Sequence, residues 1–513
     1  MDNRPNIIFI LSDDQGAWAM HCAGTPELYT PNLDRIAAEG MRFENFFCVS
    51  PVCSPARASL LTGNIPSAHG VHDWIRSGNV DGEKFWKQGM ENPYGGGYAR
   101  ETKPAAYLEG QVAYTDVLAE NGYTCALAGK WHLGDSVRMQ HGFSKWYSLG
   151  RGGCNYYHAD VTEEGDIKLE HGKYVTELIT DRALLWMDEL AREEKPFYLS
   201  VHYTAPHSPW GEDQHPSRWI DYYRDCSFKS IPDVPDHPHM TTGPVYNTGR
   251  RRENLTGYFA AVSAMDEQIG RILQKLEKMD SKRETILFFT ADNGMSMGHH
   301  GVWGKGNGTF PMNLYDTAVK VPFLVCWKGH IPAGSVNKEL VSAYDVFPTL
   351  LALAGISWEG AEKLPGKSFA GLLLSGDEGE AWEGSSEDAE ERAGVREVSG
   401  GHVGRDRTVV VYDEYGPARM IRSREWKYIH RYPYGPHELY DLEADPKEER
   451  NLYGDPAHDK RVLELRGRME GWFERYACGE RNGILQAVTG AGQDCPVGRR
   501  ADRVNIYGPV EEI

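Results

Sequence analysis

Cys53 opens the run Cys53-Ser54-Pro55-Ala56-Arg57, followed at once by Ala58-Ser59-Leu60-Leu61-Thr62-Gly63. A thiol, a proline suited to a first helical turn and an arginine four residues on set a reactive group and a cation at a helix N-terminus. Free N–H groups and the macrodipole favour anions there. The segment therefore reads as a device that holds an oxyanion against a sulfur-bearing side chain. A lone cysteine beside a proline is equally, by itself, a common small buried hydrophobe. A cysteine-phosphatase loop of the Cys-x5-Arg kind does not fit, because only three residues separate Cys53 from Arg57.

Two acidic pairs follow apolar runs. Ser12-Asp13-Asp14 comes directly after Asn6 to Leu11, and Ala291-Asp292-Asn293-Gly294 directly after Thr285 to Thr290. In an open α/β sheet, ligands gather outside the carboxyl ends of strands, so two such turns can converge there. Three carboxylates and an amide oxygen make a hard, all-oxygen set suited to Ca2+ or Mg2+, and no Cys/His cluster has zinc spacing. Taken singly, Asp or Asn after a strand also fits a turn or a helix cap. Basic groups recur further along: Lys130 and His132 in Gly129-Lys130-Trp131-His132-Leu133-Gly134, His207 in Ala205-Pro206-His207-Ser208-Pro209, and Lys305 in Gly304-Lys305-Gly306. Lysine brings a point charge and histidine a group that titrates near neutrality. Each alone also fits a solvated surface lysine or a capped core histidine.

In this chain order the motifs resemble the signatures of the type I sulfatases, both in the Cys-x-Pro-x-Arg run with its trailing Ser-Leu-Leu-Thr-Gly and in the Gly-Lys-Trp-His run. The resemblance extends from Asn6 to Leu452 and implies a set of roles. Cys53 is oxidised after translation to formylglycine (3-oxoalanine), whose hydrated aldehyde is the nucleophile, so a formylglycine-generating or anaerobic sulfatase-maturating enzyme is an expected partner. Asp13, Asp14, Asp292 and Asn293, with residue 53, hold the divalent cation; the resemblance favours calcium, and magnesium suits the same donors. Arg57 and Lys130 stabilise the hydrate. His207 and Lys305 contact the sulfate, and one of them protonates the leaving oxygen. His132 takes a proton from the second hydroxyl, so that sulfate departs. The run Tyr315-Asp316-Thr317-Ala318-Val319-Lys320 departs from the family's Tyr-Glu-Gly-Gly-Val-Arg continuation, which points to an altered pocket rim.

The substrate is less legible. His69-Gly70-Val71-His72-Asp73-Trp74-Ile75-Arg76 and Arg151-Gly152-Gly153-Cys154-Asn155-Tyr156-Tyr157-His158 interleave polar and aromatic groups near the motifs. Asp and Arg for hydroxyls and Trp for a sugar face suggest a mono- or oligosaccharide sulfate, with His72, Asp73 and Arg76 as candidate contacts; packing of a long insertion would explain the aromatics as well. Three readings follow: a sugar sulfatase, with an aryl or choline sulfate as the lesser variant; a phosphonate monoester or phosphodiester hydrolase of the same superfamily; and a silent binding protein on the same scaffold.

The elements that position these groups are those of an α/β protein. Asn6 to Leu11 is a continuous apolar run of β-formers, the mark of a strand buried on both faces of a parallel sheet. Similar runs recur at Phe197 to Val201, Thr285 to Thr290 and Val321 to Cys326, and a helix should follow Thr30 as N-cap, with Pro31 first and Gly40 past its end. Helical patterns lie at Val175 to Leu190 and Tyr258 to Leu276. The alternation predicts a large central, mostly parallel sheet sandwiched by helices, which the resemblance makes alkaline phosphatase-like. Short strands at Thr408 to Tyr412, Ala418 to Ile421 and Trp426 to His430 predict a smaller C-terminal α+β subdomain with an antiparallel sheet. Expected divisions are 1–375 for the catalytic domain, 376–400 for an acidic Gly/Ser-rich linker or insertion, and 401–513 for the C-terminal subdomain.

The 513 residues can bury a large core, and 40% apolar with 25% charged residues is ordinary for a globular protein. A net charge of −19 argues against nucleic acid or an anionic membrane surface as partner, so an anionic substrate needs a local basic pocket. Nine scattered cysteines without a Cys-x-x-Cys pair favour free thiols. The N-terminus lacks a basic n-region and a small-residue cleavage site, from which a cytoplasmic location is expected.

Overall fold

A computed structural model describes residues 4–83, 101, 103–163, 165–241, 250–375, 407–413, 418–486 and 492–497; the stretch 376–400 expected to be a linker lies outside them. Ten strands form one sheet in the order β12-β2-β11-β8-β1-β7-β3-β4-β5-β6. They are β1 (Asn6–Ser12), β2 (Met41–Phe47), β3 (Thr124–Gly129), β4 (Phe143–Leu149), β5 (His158–Glu163), β6 (Asp166–His171), β7 (Phe197–His202), β8 (Thr285–Ala291), β11 (Phe323–Cys326) and β12 (Ser335–Ser342). A two-residue ribbon, β9 (Ser296–Met297) and β10 (Trp303–Gly304), lies outside the sheet. Following the pairings outward from β1, only β11 and β5 run against the rest. The reversal of β11 has a local cause. Between β8 and β11 the chain forms only the short ribbon and brief helical turns such as Asp316–Val319, and an antiparallel neighbour needs no long crossover helix.

All seven residues of β1 are buried. Ile7, Phe9 and Leu11 enter the core on one face of the sheet, while Ile8 and Ile10 enter the core on the other. An unbroken apolar run is what a strand covered on both sides requires, and each such side chain contributes about 1.5–3 kcal/mol by leaving water. A charge at Ile10 would break this centre. Helices Pro31–Glu39, Val175–Leu190 and Arg251–Lys278 cover one face. Helices Cys53–Thr62, Tyr114–Glu120 and Val346–Leu353 cover the other, where the core runs on without interruption into the C-terminal sheet.

That second sheet is a meander of four antiparallel strands, β13 (Val409–Asp413), β14 (Ala418–Arg422), β15 (Trp426–Arg431) and β16 (Glu438–Asp441). Helix Asp459–Tyr476 lies on it through buried Leu465, Met469 and Phe473, whose four-residue spacing puts them on one stripe. All nine cysteines are free.

Some boundaries differ from expectation. Helix Arg251–Lys278 begins seven residues before Tyr258, because its first turn is the polar Arg251-Arg252-Glu253, which carries no apolar signal. Thr30 is the N-cap residue, but its hydroxyl accepts from the His21 N–H (2.9 Å) instead of capping the helix. Strands β2, β4 and β6 escaped a search for apolar runs because they are interrupted by polar residues.

Candidate active site

Asp13 and Asp14 follow β1, Cys53 follows β2 after a short loop, Lys130 and His132 follow β3, His207 follows β7, and Asp292 and Asn293 follow β8. These five strands all run the same way, so their carboxyl ends share one edge of the sheet and deliver every group there. Lys305, just beyond β10, reaches the same place from the loop after β8.

The ligand atoms of Asp13, Asp14, Cys53 and His207 lie within 4.8 Å of one another, and no other group of three or more His, Cys, Asp or Glu does so among the described residues. Asp14 holds the left-handed φ of 61°, uncommon for a non-glycine residue, and the turn is tied by its N–H to Asp292 Oδ1 (3.2 Å). Its Oδ1 accepts from Asn293 Nδ2 (2.8 Å) and Lys305 Nζ (2.5 Å). Asp292 joins the site through its own bonds. Its Oδ2 pairs with Arg57 Nε at 2.8 Å and its Oδ1 also takes the Asn293 N–H. Burial, and then the charge of Asp13, push Asp292 up to about 7. Burial alone would raise Asp13 too, yet Lys130, His207, Arg57 and Lys305 together hold it well below the usual carboxylate range. Lys130 Nζ pairs with Asp13 Oδ2, both side chains fully buried.

Cys53 is the first residue of helix Cys53–Thr62, with Val52 extended at the N-cap, so the residue sits at the positive end of the helix. Its Sγ lies 3.3 Å from Asp13 Oδ1, 3.7 Å from Asp14 Oδ1 and 2.7 Å from Lys305 Nζ. Burial, and then Asp13, push the thiol far up. An unmodified Cys53 is thus a poor nucleophile, because the thiolate is the reactive form. Lys305 is held well above its ordinary value: burial opposes its charge, but Asp14, Cys53, Asp13 and Asp292 outweigh it.

His132 has φ 55° and its ring is oriented by one contact. Nε2 lies 2.9 Å from the Ile75 carbonyl, which can only accept, so Nε2 carries the proton and Nδ1 is the basic nitrogen. Nδ1 is buried without a partner. Burial, then Lys130, hold this imidazole well below its ordinary value. His207 donates from Nδ1 to the Ser208 carbonyl (2.7 Å) and turns Nε2 toward Asp14 Oδ2 at 3.6 Å.

His72, Asp73 and Arg76 bond to residues 492–494. Both Asp73 oxygens accept backbone N–H groups, from Trp74 (2.6 Å) and Gly492 (3.1 Å). Arg76 forms a two-pronged pair with Asp494 at 2.6 Å for each bond. The backbone N–H of His72 donates to Gln493 Oε1 (2.8 Å). These groups tie the loop to residues 492–497. Sequence reasoning missed two contributors to the His132 environment. The Ile75 carbonyl is backbone and carries no residue signal. Gly152 packs on the imidazole so closely that its glycine was the only clue. The departure at Tyr315–Lys320 forms the short helix Asp316–Val319, whose Asp316 pairs with Lys427 (2.8 Å) and Arg422 (3.3 Å) of the C-terminal sheet.

A divalent cation fits this donor set. Asp13 and Asp14 present carboxylate oxygens beside residue 53, and Asn293 Oδ1 is a buried oxygen with no partner, an arrangement that costs free energy unless a cation or donor meets it. Hard oxygen donors suit calcium or magnesium rather than zinc.

Comparison with known proteins agrees with the geometry. A family model described as Sulfatase matches residues 5–356. N-acetylglucosamine-6-O-sulfatase of Bacteroides thetaiotaomicron is 28% identical across 92% of this chain and 87% of its own length. Human N-acetylgalactosamine-6-sulfatase is 28% identical across 72% of this chain and 66% of its own. A solved enzyme structure in complex with its substrate D-glucosamine-2-N,6-O-disulfate superposes with a TM-score of 0.70 at 24% identity, covering 92% of this chain and 98% of that one, a likeness of fold. The matched region takes in every strand that delivers a reactive group to the common edge, and the chain belongs to the Sulfatase family of sulfuric ester hydrolases.

Proposed function

We propose that this sulfatase hydrolyses a sulfate monoester of a mono- or oligosaccharide, with formylglycine at position 53 and calcium as the cation. The observation that carries the reading is the meeting of Asp13, Asp14, residue 53 and His207 within 4.8 Å, under the cations Lys130, Arg57 and Lys305. The sugar part rests on two relatives named for 6-sulfated amino sugars. Asp13, Asp14, Asp292, Asn293 and residue 53 would hold the cation. When present, the cation and the hydrated aldehyde supply positive charge to a sulfate oxygen and an oxygen nucleophile.

The chain's own residues do the rest. Lys130 and Arg57 face Asp13 and Asp292, and the cations around Asp13 keep it ionised while an anion approaches. Lys305, charged and against residue 53, binds the sulfate and can give a proton to the departing alcohol oxygen. His207 contacts the same anion through Nε2. His132 receives a proton at Nδ1, the nitrogen that its bond to Ile75 leaves basic. A maturating enzyme must act on Cys53 first.

A screen of sulfated monosaccharides tests the proposal, comparing the 6-sulfates of N-acetylglucosamine and N-acetylgalactosamine with other ester positions and with choline sulfate. Turnover of a 6-sulfated amino sugar is expected. Faster turnover of a phenyl phosphonate ester than of nitrophenyl sulfate would instead favour the phosphonate monoester hydrolase.

A further inference from the structure

Ile75 sits between the two halves of the chemistry. Its N–H donates to Ser54 Oγ (3.1 Å), next to residue 53, and its carbonyl accepts from His132 Nε2 (2.9 Å). The peptide at 75 therefore fixes the distance from the helix bearing the nucleophile to the base. Yet the loop that carries it, residues 70–76, has only an isolated bridge for regular structure, and that bridge pairs Ile75 with Gln493.

Gln493 is fully buried and its amide is fully used. Oε1 accepts from the N–H groups of His72 (2.8 Å) and Asp73 (3.4 Å). Nε2 donates to the carbonyls of Gly70 and Cys495, both at 3.0 Å. Its backbone continues the pattern, donating to the Trp74 carbonyl (2.8 Å) and accepting from the Arg76 N–H (3.1 Å), on either side of Ile75. The Arg76–Asp494 pair closes the far side. An irregular buried loop must satisfy its polar backbone somewhere, and here one distant residue supplies both donors and acceptors.

We propose that Gln493 is a positioning residue for the catalytic base: it clamps residues 70–76 so that the Ile75 carbonyl holds His132 in its Nε2–H form, with Nδ1 presented to the substrate. This rests on His132 acting as the base. Truncating the amide removes its bonds to the His72 and Asp73 N–H groups and to the Gly70 carbonyl, so the loop relaxes and the imidazole loses its fixed partner. Displacements on the ångström scale away from the chemistry can lower turnover about 100-fold.

The test is Gln493→Ala and, separately, Asp494→Ala in the matured full chain, with kinetics and NMR of 15N-histidine-labelled protein in which His132→Asn identifies the signal. In Gln493→Ala the His132 signal should change from a single Nε2–H form to a mixture of tautomers, while kcat falls roughly 10- to 100-fold and KM stays within about twofold. Asp494→Ala, on the more exposed side, should move the signal and kcat the same way by less. A folded Gln493→Ala protein with the parental tautomer and kcat overturns the proposal. If that variant does not fold, Asp494→Ala with unchanged signal and kcat overturns it. Should the parental protein turn over no sulfate ester, the sulfatase reading fails, and the tautomer signal still decides the clamp.

Discussion

Gly152 lies against His132 so closely that a β-carbon at 152 would come within 2.2 Å of both Cε1 and Nε2 of the imidazole. A β-carbon on its neighbour Gly153 would lie 3.7 Å from Cε1 of His207. The loop between β4 and β5 thus forms a wall over both histidines. Gly152→Ala forces the His132 ring or the loop to move, and we expect kcat to fall by about 10- to 100-fold with the melting temperature little changed. Steady-state kinetics and thermal denaturation of the variant check this. Parental kcat would show that the ring has room to spare.

Cys53→Ser should retain the fold, because serine is close in size and the residue packs at a helix start, yet lose essentially all turnover. A serine ester of sulfate has no second hydroxyl through which His132 could expel the anion. Mass spectrometry of the variant after incubation with substrate should detect retained sulfate at position 53. Full activity in Cys53→Ser sinks the aldehyde mechanism.

The pH profile follows from the depressed imidazole. Burial and Lys130 hold His132 well below its ordinary value. The base works unprotonated, so a lowered value keeps the working form populated as the solution acidifies. The acidic limb of kcat should lie below the ordinary imidazole value of about 6.5, measured from about pH 4 to about pH 8. A limb at or above that value, abolished by substituting His132, would contradict the neutral buried imidazole.

Chelation should destabilise as well as inactivate. Asp13, Asp14 and the unpartnered Asn293 oxygen gain a cation only in the folded state, so a ligand at 100 times its dissociation constant adds about 2.7 kcal/mol. Dialysis against a calcium chelator should lower the melting temperature and kcat, and added calcium should restore both more fully than magnesium. Identical melting curves before and after would remove the cation from the proposal.

The C-terminal sheet should matter for stability. Lys427, fully buried, pairs with Asp316 and Glu448, and Glu448 also accepts the Asp316 N–H at 2.7 Å. Lys427 and Arg422 hold Asp316 low against the effect of burial, while burial pushes Glu448 up to about 7. Lys427→Met leaves a buried carboxylate without its cation and should cost about 3–5 kcal/mol. Adding Glu448→Gln should recover part of the loss in urea unfolding. No change in midpoint for Lys427→Met would mean the network is neutral.

Much of the site was legible because its signals are local. Asn6 to Leu11 announces a strand buried on both faces, and the acids after it must then lie at a strand's carboxyl end. Cys53, Pro55 and Arg57 sit within one helical turn or so, and Lys130 and His132 flank a single tryptophan. Other features had no such signal. The bonds that join His72, Asp73 and Arg76 to residues 492–494 span more than 400 positions of sequence, and no local pattern announces them.

Sequence alone determined which atoms are available: three carboxylates, an amide, two imidazoles, two ammonium groups, a guanidinium and an oxidisable thiol, each beside a strand or helix start that its neighbours encode. Only tertiary structure decided which nitrogen of His132 is basic, that Asp292 takes the Asp14 N–H and pairs with Arg57, and that Gln493 secures Ile75. Periodicity and composition are properties of adjacent residues, whereas a proton's position on a ring depends on whichever distant backbone group the packing brings within hydrogen-bond reach.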